Sequence, residues 1–210
     1  MDTTNTIFYI VVLIFSVIIH EISHGFMAEK FGDHTARDAG RLTLNPIVHL
    51  DLFGSIILPI LLIVSNAHFL FGWAKPVPYN PNNLTNRKWG TIAVAGAGII
   101  ANLTVAIIFS ILIRLGMYFG YANESFYFIC GLISFLNLLL AFFNLMPFPP
   151  LDGSKILFAF LPVRFAHLEA TLERYSIIIF LFFIFFIWEH IFPVIFSIYH
   201  LLAGVYPSFL

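Results

Sequence analysis

Four long apolar runs constrain this chain more than any other feature. They cover Ile7 to about Ala28, Thr91–Ile113, Ser125–Leu151 and Tyr175–Leu210. A helix needs about 20 apolar residues to cross the hydrocarbon core of a bilayer, and each run is long enough. Charge is correspondingly scarce. Only 10% of the 210 residues are charged and mean hydropathy is +0.95, against about 25% charged residues in an average soluble domain. The chain is therefore expected to be an all-α polytopic membrane protein in contact with the lipid bilayer.

The runs differ in character. The first follows Met1–Thr6, which carries Asp2 and no cation, the opposite of a cleaved signal, so it reads as a retained span. The last exceeds one ordinary span. Pro193 offers a break, and one long helix or two helices both fit. A fifth stretch, Leu52–Phe71, is weaker because Pro59 interrupts it and Ser65, Asn66 and His68 load its second half. About four to six transmembrane helices result, depending on how 52–71 and 175–210 run.

Cations gather on the cytoplasmic side of short loops. Lys30, Arg37 and Arg41 follow the first span, Lys75, Arg87 and Lys88 follow 52–71, and Lys155, Arg164 and Arg174 follow the third strongly apolar run. All three groups fall on one side if 52–71 is re-entrant, whereas a full crossing would misplace one of them. The amino terminus is then outside and residues 30–50 are cytoplasmic.

Several function classes drop out. With 10 Lys plus Arg against 11 Asp plus Glu and no basic block, the chain has no surface for nucleic acid. The single cysteine, Cys130, excludes an intrachain disulfide and a Cys-rich zinc module. Any metal must be held by His and carboxylates.

The first span contains His20-Glu21-Ile22-Ser23-His24. Residues four apart share a helix face, so both imidazoles can bind one metal while Glu21 borders the same open position. Three ionisable groups inside one apolar span are costly in lipid and mark a functional site. A catalytic zinc takes three protein ligands and keeps one position open. The third ligand is expected from Asp152, in Asn144-Leu-Met-Pro-Phe-Pro-Pro-Leu-Asp152-Gly153, where prolines forbid a regular helix. Orientation agrees: His20 lies about 21 Å into an inward-going span at 1.5 Å per residue, near the cytoplasmic end at which the run before Asp152 also finishes.

These motifs, with Ala95-Gly96-Ala97-Gly98 and Asn102 in an apolar span, resemble the site-2 protease family of intramembrane zinc metalloproteases. The resemblance runs from about residue 7 to 160. Gly40-Arg41-Leu42-Thr43-Leu44-Asn45-Pro46 and Gly72-Trp73-Ala74-Lys75-Pro76-Val77-Pro78 are similar to its small bacterial and archaeal branch, without PDZ or CBS domains. It departs from the family at Gly98, where proline is common. The resemblance implies one Zn2+ per chain on His20, His24 and Asp152, Glu21 as general base, and Asn102 near the reacting carbonyl. It implies a single membrane protease domain over 1–210, with a catalytic core at about 7–160 and a C-terminal helical segment at about 170–210. The expected partner is a membrane-protein substrate with a transmembrane helix, in a bacterial or archaeal cell membrane, with the active site towards the cytoplasm.

Other segments keep two readings. Gly40–Asn45 alternates Arg41, Thr43 and Asn45 with Leu42 and Leu44, the period of a strand. It reads as a short cytoplasmic β-hairpin, whose edge could take an extended substrate by strand addition. Lys75–Pro81, with three prolines, reads as a stiff loop, lid or scaffold. His49 and Asp51 read as support for the site or an extra ligand, or as surface. The competing function is a metal-ion transporter or channel using the intramembrane His and Asp cluster. It gives no reason for Glu21 beside His20, and no paired halves of the kind transporters show are visible.

Overall fold

A computed structural model describes residues 3–57, 61, 64 and 74–205. Among the described residues every regular element is helical. The longer ones are α1 (Thr3–Lys30), α2 (Thr35–Asp38), α3 (Arg87–Tyr118), α4 (Glu124–Asn144), α5 (Asp152–Phe160), α6 (Ala166–Arg174), α7 (Ser176–Phe182) and α8 (Trp188–Ala203). Four helical stretches among the described residues are long and apolar enough to cross a membrane: Thr6–Lys30, Arg87–Tyr118, Glu124–Asn144 and Ser176–Ala203.

Local chemistry sets the ends. Asn86 caps α3 by accepting the Trp89 N–H, and Asn123 caps α4 by accepting that of Phe126. Between them Gly120 takes φ +67°, a conformation open to glycine, and turns the chain back on itself. α4 stops at Asn144, earlier than its apolar run, because Pro147, Pro149 and Pro150 cannot continue it. Arg114 donates to the carbonyls of Leu201 and Leu202 at 2.6 Å and so satisfies the last turn of α8.

The core lies where α3, α4 and α8 meet, around Ala106, Leu132, Phe135, Leu138, Ile195 and Tyr199. Small residues allow close approach: the Ser134 hydroxyl lies 2.7 Å from that of Ser110 and 2.9 Å from the carbonyl of Ala106. α1 packs across α3 and α4, and Asn137 of α4 donates to the Ser16 hydroxyl at 2.8 Å. The outward faces are apolar, with Ile7, Phe8, Val11 and Ile14 of α1 and Ile177, Ile178 and Phe182 of α7 exposed, as lipid-facing surfaces are.

One expectation changes. The β-hairpin at Gly40–Asn45 is absent: the segment carries no strand, and Asn45 instead caps a 3-10 turn, Pro46–His49. Its alternation does not separate inside from outside, because Arg41 is buried and donates to the carbonyls of Val48, Lys75 and Pro76. Pro193 does not break the last span. The chain stays helical from Ser176 to Ala203 through a π turn at Phe183–Ile187, and membrane helices tolerate an interior proline where local adjustment re-pairs the backbone. Of 52–71, Leu52–Ile57 forms a π-helical turn. Most of the remainder, and with it the choice between crossing and re-entry, lies outside the described residues.

Candidate metal centre

His20 and His24 are one turn apart on α1, in the part that packs against α3. The register is antiparallel: His24 Nδ1 lies 2.7 Å from the Val94 carbonyl, and one turn along in the opposite sense the His20 ring lies on Gly98. A Cβ built on Gly98 would come within 2.5 Å of that ring, so only glycine admits the imidazole there. Asp152 reaches the pair from another direction. The turn at 145–151 contains the cis Pro149–Pro150 bond, and Asp152 opens α5, where a carboxylate suits the helix dipole. Gly153 has the Leu145 carbonyl against its Cα, in the space a side chain would need.

The three ligand-type atoms form a triangle. His20 Nε2 to Asp152 Oδ2, His24 Nε2 to Asp152 Oδ2, and His20 Nε2 to His24 Nε2 are each 3.0 Å. All three residues are buried, and among the described residues they are the one such group of three or more His, Cys, Asp or Glu. The Val94 carbonyl can only accept, so His24 carries a proton on Nδ1 and presents Nε2 to the other two ligand-type atoms. A cation shared by the three would be held by Nε2 of each imidazole and by the carboxylate. Tetrahedral zinc with bonds of about 2.0–2.1 Å holds its ligand atoms about 3.3 Å apart, a few tenths of an ångström wider than the triangle. The donor set therefore fits zinc.

Lys155, one turn along α5, donates to the other carboxylate oxygen, Asp152 Oδ1, at 3.0 Å. Burial alone would raise the Asp152 carboxyl, but the imidazoles of His20 and His24 and the Lys155 charge outweigh it and hold the group well below the usual carboxylate range. Burial would lower the Lys155 ammonium, and Asp152, Tyr79 and Glu21 more than compensate.

Glu21 is half-buried, and its Oε2 accepts the backbone N–H of Val77 at 2.8 Å. The irregular stretch 74–80 is thereby fixed beside α1. Besides the Arg41 bonds to the Lys75 and Pro76 carbonyls, the Lys75 N–H donates to the His49 carbonyl at 2.8 Å, and the Asn80 N–H donates to Asp33 Oδ2 at 2.6 Å. Asn102 is fully buried one turn beyond Gly98, and both its amide atoms lack a partner among the described residues. His49 is buried and donates to the Thr43 carbonyl, while Asp51 accepts the N–H groups of Phe53 and Gly54. Neither joins the triangle.

Sequence reasoning missed Val77, Val94 and Lys155. The first two act through backbone atoms, which leave no mark in residue identity. Lys155 was open to detection, since i and i+3 share a face on any helix starting at Asp152.

Similarity to known proteins adds to this geometry. The profile of Peptidase family M50 matches residues 115–187, which include Asp152. "Putative zinc metalloprotease YwhC" of Bacillus subtilis (strain 168) is 39% identical over 180 residues, 83% of this chain and 78% of YwhC. "Putative zinc metalloprotease Rip2" of Mycolicibacterium smegmatis is 31% identical over 159 residues, 72% of this chain and 59% of Rip2. "Zinc metalloprotease MJ0392" of Methanocaldococcus jannaschii is 26% identical over 170 residues, 80% of this chain and 39% of MJ0392. The chain thus spans less than two thirds of the length of Rip2 and of MJ0392. No solved structure matches it significantly. Identity of 39% across 83% of the chain, with four helices among the described residues long and apolar enough to cross a membrane, makes this a multi-pass membrane protein of peptidase family M50, the site-2 protease family.

Proposed function

We propose that the protein is an intramembrane zinc metalloprotease that hydrolyses peptide bonds in or near transmembrane segments of other membrane proteins. One observation carries this reading: the buried 3.0 Å triangle that Asp152 completes with His20 and His24, two residues of a helix apolar enough to span a bilayer. In this proposal residues 1–210 form one protease domain, one zinc ion sits on the three side chains, and the site opens towards the cytoplasm of a bacterial or archaeal cell.

Zinc held there supplies a Lewis acid that acidifies water and polarises a peptide carbonyl. The other steps belong to the chain. Glu21 has one carboxylate oxygen on the Val77 N–H, and its other oxygen has no partner among the described residues. That second oxygen takes the proton from the attacking water and delivers it to the leaving amide nitrogen. Asn102 offers an amide N–H to the oxygen on which negative charge develops. A helical substrate must unwind first, because its carbonyl is already bonded within the helix.

The test is cleavage of a single-span membrane substrate by the detergent-purified protein, with bound zinc assayed in wild type and Glu21→Gln. Retained zinc with lost cleavage supports the assignment. Stoichiometric metal without cleavage of a broad substrate panel, together with altered metal flux in liposomes for Glu21→Gln, would replace the protease by a metal-ion transporter.

A further inference from the structure

The Pro76–Val77 peptide is held from both sides. Its N–H donates to Glu21 Oε2 at 2.8 Å, and its carbonyl accepts from Arg41 Nη2 at 3.2 Å. The unit is trans, and in a planar trans peptide the N–H and C=O point in opposite directions. A single peptide group therefore stands between the Arg41 guanidinium and the Glu21 carboxylate. The same nitrogen donates to the Lys75 carbonyl at 2.8 Å, while Nη1 donates to the Val48 carbonyl. The guanidinium fork thus ties the turn at Pro46–His49 to the segment that meets Glu21.

Arg41 carries its charge out of water. It is 8% exposed, and among the described residues no carboxylate pairs with it. A buried charge is costly unless compensated, and here carbonyl dipoles compensate it, with Glu21 across one peptide. Hydrogen bonds in series polarise one another: a cation on the carbonyl makes the N–H on the far side a stronger donor to an anion. Packing holds the same arrangement. A Cβ built on Gly25 would lie 2.5 Å from Leu42 Cδ2 and 2.9 Å from Val77 Cγ1, so the neighbour of Arg41 and the clamped valine both rest on the α1 backbone, one residue beyond His24. The Arg41 N–H donates to the Ala36 carbonyl at 2.9 Å, which fixes where the side chain starts.

We propose that Arg41 is a positioning residue for the general base: its guanidinium orients and polarises the Pro76–Val77 peptide, and the N–H of that peptide in turn holds Glu21. This rests on the protease reading above, in which Glu21 is the base. The hydrogen bonds of Arg41 go to backbone carbonyls and reach no metal ligand. Because the peptide unit is rigid, a carbonyl released from Arg41 is free to swing, and the N–H swings off Glu21 with it.

The experiment assays the full chain in dodecylmaltoside on the single-span substrate used above, with rates expressed per bound zinc so that unfolded protein is not counted. Arg41→Gln is expected to lower kcat about tenfold with KM unchanged, the scale of one hydrogen bond to a charged group. Arg41→Lys keeps the charge without the fork and falls between. In a Val77→Pro background, where the N–H is already gone, Arg41→Gln changes kcat by less than about twofold. Equal losses in the two backgrounds, a rise in KM alone, or an unchanged rate per zinc with a lower melting temperature each overturn the proposal. A second readout needs no cleavage. With isotope-labelled valine, the Val77 amide proton, assigned by its absence in Val77→Ala, is expected to move upfield in Glu21→Gln and in Arg41→Gln alike. A resonance that follows Glu21→Gln and ignores Arg41→Gln overturns the clamp. If wild type cleaves nothing while both variants move that resonance, the protease reading fails and the hold of Arg41 on Glu21 stands.

Discussion

The carboxylate of Glu21 and the backbone N–H of Val77, 56 residues apart in the sequence, meet at 2.8 Å. This contact orients the proposed base without using a second side chain. Val77→Pro deletes the N–H in a segment that carries no regular structure and already holds Pro76 and Pro78. A hydrogen bond to a charged group contributes about 1.5–3 kcal/mol, so kcat is expected to fall about tenfold to a hundredfold with zinc content unchanged. Val77→Ala keeps the N–H and serves as the control. Equal activity in the two variants would remove the orienting role.

Gly98→Ala places a methyl group against the His20 ring. The buried ring or the α3 backbone must shift to admit it, and overpacking of this kind costs about 1–3 kcal/mol. The variant is expected to lose zinc affinity and to melt at a lower temperature. Gly96→Ala, where a Cβ meets nothing within 4 Å, should be neutral in both zinc titration and thermal unfolding.

Lys155→Met removes the partner of Asp152 Oδ1 and keeps most of the side-chain volume. Residues that hydrogen-bond a metal ligand typically account for a factor of about 10–100 in metal affinity. Competition with a chromogenic chelator should show a loss in that range. An unchanged zinc Kd would mean that Lys155 does not support the ligand.

Asp33 governs an acid limb. It is buried, which alone would raise its carboxyl, but the Thr35 hydroxyl, the Asn80 N–H and the Asn83 amide donate to it and hold it below its ordinary value. A carboxyl depressed in the folded state contributes stability above its unfolded pKa, and that stability is lost as pH falls through the folded one. Asp33→Asn should therefore destabilise the protein by about 1–3 kcal/mol at neutral pH and flatten the fall in stability towards acid. Thermal unfolding of both proteins between pH 7 and pH 3, values chosen as about the useful window for a carboxylate, checks this.

Much of this architecture was legible because lipid imposes a simple code. Thr91–Ile113 was read as a span, and the helix around it extends from Arg87 to Tyr118 because Asn86 and the Gly120 turn, not hydropathy, set its ends. The convergence of His20, His24 and Asp152 was accessible from helix periodicity and from the proline run before Asp152. Gly40–Asn45 misled because alternation predicts a strand only if polar residues face water, and Arg41 points inward to three carbonyls. Pro193 left one helix or two open, because the adjustment that keeps the span helical lies upstream, in the π turn at Phe183–Ile187.

The pairing of α1 with α3 works as a ladder. His24 meets Val94 and His20 meets Gly98, and four residues further along each helix stand Ser16 and Asn102. Each rung is spaced by one turn on both helices, and all share one phase. A one-residue insertion in α1 on the amino-terminal side of Ser16 would leave the ladder intact. The same insertion between Ser16 and His20 would turn the two histidines about 100° relative to everything before them, so the centre tolerates changes in length on one side of a sharply defined position and not on the other.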